Sequence, residues 1–378
     1  MAEIAPLALA QLTTLRTGAA PTRMVEAHTR EELVAELREA WNHGERWLVV
    51  GGGSNLLVGD EPFDGTVLLV RTGGIERIPS PRDGYVRLRA EAGHGWDELV
   101  AHTVAEGLQG IEAMSGIPGT VGAAPVQNIG AYGQELVQTL VEVELIDEAT
   151  GDVTTVPASE LGLGFRTSVL KAHHGSVAAR DAVVLSVTLE LADVGHGEIP
   201  VRGAQLRQAL GLEPAASVSL AWIRDTVLAT RARKGMVLDE ADPDTYSAGS
   251  FFQNAIVSAA FARTLPVECP RWPVSVDVDP VTVIPLEAFD GTVPAPVAHE
   301  PDVKVSAAWL IEHAGLRKGF SLPRSRAGLS TKHALALTNR GGATAAELAE
   351  LARFIQGRVH AEFGLVLQPE PVLVGVDL

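Results

Sequence analysis

Seven glycines and two prolines lie between Gly107 and Gly133, in a segment with neither helical nor strand periodicity. The segment is also rich in apolar residues, so it does not have the composition of a flexible linker. A long irregular segment of this kind in a globular chain is typically an ordered functional loop. We therefore expect the fold to be built around one long Gly-rich loop.

A second Gly-rich run, GGGSN at 51–55, follows an apolar strand predicted at 47–50. The residues after it, LLVGDEPFDGTVLLV, predict strand, turn and strand, so no helix begins here. Glycines let consecutive backbone N–H groups turn toward one point and form an anion-binding nest. A pyrophosphate bound without a helix dipole needs a second loop, which the 107–133 segment would supply. Two purely structural turns are the alternative.

Common nucleotide-binding and hydrolase motifs are missing: G-x-G-x-x-G, G-x-x-x-x-G-K-[ST], H-E-x-x-H and G-x-S-x-G do not occur. This argues against a Rossmann dehydrogenase, a P-loop enzyme, a zinc protease and an α/β-hydrolase. Cys269 is the single cysteine, so no intrachain disulfide and no Cys-based metal site can form. We predict no metal site.

A formal net charge of -17 and an aromatic content of 5% argue against binding to nucleic acid or to an anionic membrane. An anionic substrate would need a local cluster of Arg and Lys in a cleft. The first residues lack the cations of a signal peptide, and no apolar run approaches the roughly 20 residues that span a bilayer. We expect a cytoplasmic protein.

Local patterns predict an α+β chain of several layers and, at 378 residues, more than one domain. Capping boxes at Thr29 and Thr344 predict two helices, the first through Trp41 and the second carrying an apolar stripe up to Gly364. Further helices are predicted at 96–107 and from about 221 to 234, and a last strand at 365–375. The Pro- and Asp-rich stretch 239–305 is the best candidate for a domain change.

Five polar residues stand out, and each has an ordinary structural explanation when taken alone. Ser250, in SAGSFFQN, is a cap or a proton donor in an apolar pocket. Glu370 is an edge residue or an acid whose pKa is raised beside a substrate carboxylate. Arg166 is a surface ion-pair partner or stabilises an anion. Lys234 is a helix-end cation unless a phosphate lies there, and His313 is a core or surface histidine.

The segments GGGSNLLV, GIPGTVGAAPVQNIGAYG, GFRTSVLK, AGSFFQN, AAWLIEHAGLRKG and LQPEPVLVG occur in this order. Together they closely resemble the UDP-N-acetylenolpyruvoylglucosamine reductase family, from about Thr14 to Val376. The central loop and GSFFQN are the most specific parts of the match.

The resemblance implies a two-lobed FAD-binding portion of the vanillyl-alcohol oxidase (PCMH) type at 14–235, with lobes at about 14–78 and 79–235. Residues 365–378 would return to the first lobe, and 236–364 would form an α+β substrate-binding domain. It also implies FAD bound without a covalent link by Gly51, Gly52, Gly53, Ser54, Asn55, Ser115, Gly116, Pro118, Gly119, Gly122, Ala123, Asn128, Gly130, Ala131 and Tyr132.

The implied reaction is the NADPH-dependent reduction of UDP-N-acetylglucosamine enolpyruvate, a small-molecule precursor of peptidoglycan. After hydride transfer from flavin N5 to the vinyl CH2 carbon, Ser250 would protonate the α-carbon. Arg166 and Glu370 would stabilise the enolate-like intermediate.

The implied substrate-binding residues are Lys234, Asn254 and His313, and we expect a monomer. The long form of the family has a lid tyrosine where this chain has Gly203, so closure over the nucleotide differs here. The family also has an arginine shortly after the final glutamate, where this chain has Pro371 and Val372. The length of the chain and the 257–305 insertion favour the long form.

Two other readings stay open. An FAD oxidase of the same fold commonly attaches FAD through a histidine in the first Gly-rich loop, and GGGSN has none. The second alternative is a flavin- or UDP-sugar-binding protein without activity. The joint occurrence of Ser250, Arg166 and Glu370 argues against it.

Overall fold

The structure, a computed structural model, describes residues 2–171, 179–274 and 300–378. The α-helices of these residues are α1 (Arg30–Asn42), α2 (Trp96–Ala105), α3 (Ala204–Leu210), α4 (Leu220–Arg233), α5 (Ala259–Ala262), α6 (Ala307–His313) and α7 (Ala345–Phe363). None of these helices has the length and apolar content needed to span a bilayer.

The strands are numbered along the chain: β1 (Ala2–Glu3), β2 (Arg23–Ala27), β3 (Trp47–Val50), β4 (Leu56–Val58), β5 (Thr66–Val70), β6 (Ile75–Ile78), β7 (Tyr85–Glu91), β8 (Leu108–Gln109), β9 (Gly130–Ala131), β10 (Gln134–Glu135), β11 (Leu140–Asp147), β12 (Val153–Pro157), β13 (Ala182–Asp193), β14 (Ile199–Pro200), β15 (Ser217–Val218), β16 (Ala255–Val257), β17 (Arg271–Pro273), β18 (Val303–Val305), β19 (Ala327–Leu329), β20 (Leu337–Asn339) and β21 (Val372–Val374).

The first layer is a four-stranded sheet of order β1-β2-β5-β3, in which β2, β5 and β3 run parallel. Helix α1 connects β2 to β3 and buries Leu33 in one cluster with Leu68 of β5. The Thr29 hydroxyl accepts a hydrogen bond from Glu32 N at 3.2 Å, and the Glu32 carboxylate accepts one from Thr29 N. The helix predicted from this capping box is confirmed.

The second layer is an antiparallel sheet of order β12-β11-β13-β7-β6, with α2 and α4 in its hydrophobic core. Trp96, at the start of α2, is fully buried, and its Nε1 donates to Met114 O at 3.2 Å. Helix α2 ends at Ala105, two residues earlier than predicted. Gly107 has φ +72°, a left-handed conformation that glycine adopts without strain and that ends the helix.

The C-terminal layer combines the sheet β16-β18-β17, the hairpin β19-β20 and helices α6 and α7 around a separate core. The predicted capping box of α7 is confirmed, and its stripe of Leu348, Leu351, Ile355 and Val359 is buried. Phe251 and Phe252 are fully buried in the same core, which anchors the segment carrying Ser250.

The end of the chain returns to the first lobe, where β21 runs parallel to β4. The strand predicted over 365–375 is shorter than expected, because Pro369 and Pro371 have no N–H to contribute to a ladder. Leu15 and Leu57 of the first lobe are buried in the C-terminal core, so the two parts share apolar contacts. The domain limits stay a prediction, and residues 275–299 of the predicted 257–305 insertion lie outside the described residues.

Leu57→Ala should destabilise the protein by about 2–5 kcal/mol, because it opens a cavity in a core that both parts of the chain build. Chemical denaturation of the purified protein measures this. Val267→Ala is the control, since Val267 is 84% exposed and should change the free energy of unfolding by about 0.5 kcal/mol or less. Equal midpoints for the two variants would contradict the shared core.

Candidate active site

A cavity of about 500 Å³ lies between the two Gly-rich segments and the C-terminal return of the chain. A volume of this size is typical of sites for cofactors and other small molecules. Trp47, Leu48 and Val49 of β3 line one part of it, which explains why this apolar strand is only partly buried. The wall therefore offers apolar surface for a flat ring.

The two Gly-rich segments touch backbone to backbone beside the cavity. A Cβ added at Gly52 would lie 2.7 Å from the Gly119 Cα, and one added at Gly119 would lie 2.8 Å from the Ser54 Oγ. The Ser54 hydroxyl donates to Pro118 O at 2.9 Å and ties the two loops together. Side chains at these positions would hold the loops apart, so the close contact between the loops requires glycine at both positions.

Unpaired donors lie along these walls. In the described ranges, the backbone N–H groups of Gly52, Gly53 and Ser54 have no hydrogen-bond partner, and Gly53 turns the chain with φ +59°. Arg231 also lines the cavity, and its buried Nε is unpaired within the described chain. Burial lowers the pKa of Arg231 below its usual range. Gly53 and the Arg231 Nε are buried, and buried donors without partners are uncommon. The N–H groups of Gly52 and Ser54 lie beside them at the more exposed edge of the site. Phosphate oxygens would satisfy all of these donors, so the set fits a dinucleotide such as FAD.

Ten of the residues predicted to hold FAD line this cavity: Gly51, Gly52, Gly53, Ser54, Asn55, Pro118, Gly119, Gly122, Ala123 and Gly130. Ser115, Gly116, Asn128, Ala131 and Tyr132 do not line it. Ser115 Oγ donates to Glu112 O at 2.7 Å within the loop, and Asn128 Nδ2 donates to Gly164 O at 3.0 Å, which connects the loop to the segment that carries Arg166.

The three residues predicted to be catalytic, Ser250, Arg166 and Glu370, all line the cavity. Glu370 N donates to Phe251 O at 2.8 Å, which places Glu370 beside the residue that follows Ser250. The Arg166 Nε lies 3.1 Å from Glu370 Oε1. Positions far apart in sequence therefore meet at one wall.

Arg166 is held in a restricted conformation. Its φ of +56° lies in the left-handed region, which costs a non-glycine residue about 1–3 kcal/mol and is often found at functional sites. Its guanidinium donates to Asn128 O at 3.3 Å and to Gly130 O at 2.8 Å. The central loop thus orients the arginine toward Glu370.

Glu370 is a largely desolvated acid whose side chain is 13% exposed. Burial raises the pKa of its carboxyl group above the usual range, while the positive charges of Arg166 and Lys171 oppose that shift. Because the net direction is upward, the protonated form persists to higher pH than for an exposed glutamate.

The residues predicted to bind the substrate lie outside the cavity lining. Lys234 is exposed at the end of α4, with its Nζ 5.7 Å from the Tyr132 ring centre. Asn254 Oδ1 accepts from Ala307 N at 3.0 Å. His313 is exposed on α6 and stacks on Trp309 with 3.7 Å between ring centres, so the structure does not bring it to the cavity.

The structure places Lys234 in a group of positive charges that the sequence did not predict. Burial and the charges of Lys234, Lys318 and Arg231 lower the pKa of His333 to about 4, so this histidine is neutral near pH 7. Neither His333 nor Lys318, which belongs to the segment AAWLIEHAGLRKG, was predicted to lie near Lys234, because both follow it by more than 80 positions. Gly203, where a lid tyrosine was expected, is exposed with φ +86° at the start of α3.

Comparison with known families gives two matches. Residues 21–157 match the FAD binding domain family, and residues 242–374 match the C-terminal domain family of UDP-N-acetylenolpyruvoylglucosamine reductase. With the fold described above, these define an FAD-dependent oxidoreductase with an FAD-binding portion and a separate C-terminal domain. The expected fold class is confirmed.

Proteins named UDP-N-acetylenolpyruvoylglucosamine reductase are similar over nearly the whole chain. The one from Leifsonia xyli subsp. xyli is 52% identical over 99% of both chains. The one from Saccharopolyspora erythraea is 51% identical over 98% of this chain and 95% of its own. The crystal structure of the Thermus caldophilus enzyme superposes with a TM-score of 0.60, at 25% identity and 99% coverage of both chains. This chain belongs to the UDP-N-acetylenolpyruvoylglucosamine reductase family.

Gly52→Ala should weaken FAD binding about 5- to 150-fold, which corresponds to about 1–3 kcal/mol of overpacking between the two loops. Flavin absorbance of the purified protein and titration of apoprotein with FAD measure it. Gly73→Ala is a matched control, because Gly73 is exposed and a Cβ there meets nothing within 4 Å. Equal FAD affinity in both variants would refute the loop contact as part of the FAD site.

Proposed function

We propose that this protein reduces UDP-N-acetylglucosamine enolpyruvate to UDP-N-acetylmuramate with NADPH, a step in peptidoglycan precursor synthesis. The observation that carries the proposal is the meeting of Ser250, Arg166 and Glu370 on one wall of a cavity, in a chain of this family. FAD, when bound, supplies the transfer of hydride from NADPH to the CH2 carbon of the enolpyruvyl group.

Arg166 and Glu370 stabilise the charge that develops on the substrate. Addition of hydride to the CH2 carbon leaves an electron pair on the α-carbon, delocalised into the attached carboxylate. A guanidinium and a protonated carboxyl group both donate hydrogen bonds to such an anion. The raised pKa of Glu370 supports this role, because an ionised glutamate would repel the intermediate.

Ser250 completes the reduction. Its hydroxyl gives a proton to the α-carbon, so the C=C bond gains one hydrogen at each carbon and becomes a single bond. The resulting alkoxide recovers a proton from water. The fully buried Phe251 and Phe252 hold the donor in place from the C-terminal core.

The distribution of charge supports an anionic sugar nucleotide. The chain carries a net charge of -17, yet Arg166 and Arg231 line the cavity. Lys234, Lys318 and Arg231 all lie close enough to His333 to lower its pKa. Local positive charge in a protein of opposite net charge favours a diphosphate without general affinity for nucleic acid.

Ser250→Ala should slow reduction of the enolpyruvyl sugar by about 10²–10⁴-fold and leave NADPH oxidation in the first half-reaction nearly intact. Anaerobic stopped-flow absorbance follows the two half-reactions separately. Ser159→Ala, at an exposed serine, is the control and should change neither. If Ser250→Ala slowed both half-reactions equally, Ser250 would not be the proton donor.

Reduction of the sugar should decline as pH rises through the pKa of Glu370, which lies above its usual range, because the active protonated form is lost there. Glu370→Gln keeps a neutral hydrogen-bond donor without a titrating group. We expect it to retain part of the activity and to lose this decline with rising pH. Single-turnover rates across pH test both statements, and an unchanged decline in Glu370→Gln would contradict the assignment.

A further inference from the structure

Lys171 is a buried cation next to the catalytic wall. Its Nζ donates to the backbone carbonyl of Glu370 at 2.7 Å and to Gln127 Oε1 at 3.1 Å. Neither partner is a carboxylate, so within the described residues the ammonium has no direct contact with an acid. Burial, together with the charge of Arg166, lowers the pKa of Lys171 below its usual range.

Gln127 joins Lys171 to the Glu370 side chain. Its Oε1 also accepts from Asn55 Nδ2 at 2.7 Å, and its Nε2 lies 3.4 Å from Glu370 Oε1. Asn55 Nδ2 is in turn 3.3 Å from the Glu370 carbonyl. The Gln127 amide and the Lys171 ammonium therefore connect three parts of the chain. These are the first Gly-rich loop, the central loop and the C-terminal return.

We propose that Lys171 is a positioning residue for the sugar half-reaction, which fixes the backbone of Glu370 and the amide of Gln127 so that the Glu370 carboxyl faces Arg166 and the cavity. The inference rests on the function proposed above. It assigns Lys171 no contact with the substrate, only an effect through Glu370.

The charge of Lys171 has a second consequence. Arg166 and Lys171 are the two charged groups of the described chain that act on Glu370, and both favour its ionised form. Removal of the Lys171 charge destabilises the carboxylate, so the protonated acid persists to higher pH. A residue that only filled space would not move this titration.

The test uses the FAD-loaded full chain with Lys171→Met, which keeps the length of the side chain and removes the charge. We expect the sugar half-reaction to slow about 10- to 100-fold at neutral pH, because misplacement of a catalytic group by about 1 Å has that effect. The NADPH half-reaction should stay within about 2-fold of wild type, and the decline of the sugar half-reaction with rising pH should move to higher pH. Arg180→Met is the matched control, since Arg180 is a partly exposed cation whose Nε lies 2.8 Å from Asp147 Oδ2.

A readout independent of activity is the carboxyl titration of Glu370 by ¹³C NMR, with its signal assigned by its loss in Glu370→Gln. The midpoint should rise in Lys171→Met and stay unchanged in Arg180→Met. Lys171→Gln keeps a donor for the Glu370 carbonyl without the charge, so it should show the same shift with a smaller loss of rate.

The positioning role would be overturned if the titration midpoint of Glu370 stayed unchanged in Lys171→Met or Lys171→Gln, whichever of them folds. Equal slowing of both half-reactions would overturn it as well. If the wild-type protein did not reduce the sugar, the proposed function would be refuted instead. The NMR titration would still test whether Lys171 acts on Glu370.

Discussion

The hydrogen bond from Glu370 N to Phe251 O connects the C-terminal return of the chain to the segment that carries Ser250. The arrangement of the active site depends on this junction. On one side, Phe251 is buried in the C-terminal core. On the other, the strand after Glu370 pairs with β4 of the first lobe. A carboxyl group fixed between these two anchors is buried by both, which raises its pKa and brings Arg166 within ion-pair distance.

The contact between the two Gly-rich loops is the second constraint. Gly52 and Gly119 approach more closely than any side chain would allow, and beside this contact the backbone N–H groups of 52–54 have no partner within the described residues. The same central loop carries the Asn128 and Gly130 carbonyls that hold Arg166 in its left-handed conformation. One irregular segment therefore shapes the candidate FAD site and also orients a candidate catalytic residue. This dual role explains the absence of helical or strand periodicity in it.

Local signals in the sequence were enough for much of the fold. The capping boxes at Thr29 and Thr344 involve residues three positions apart, so the pattern alone identified both helices. The last strand was overestimated, because a strand needs a partner whose register the sequence does not show. Lys171 and Gln127 were missed for a similar reason: their contacts with Glu370 join positions 199 and 243 residues apart. Family resemblance proposed Ser250, Arg166 and Glu370, and only the three-dimensional structure shows what holds them together.

The most direct test of the account is anaerobic oxidation of NADPH by the purified, FAD-loaded protein with and without UDP-N-acetylglucosamine enolpyruvate. The account predicts steady consumption of NADPH that requires the sugar nucleotide and yields UDP-N-acetylmuramate in equal amount. An equal rate of NADPH oxidation with and without the sugar nucleotide would contradict the account, and so would a protein that binds no flavin.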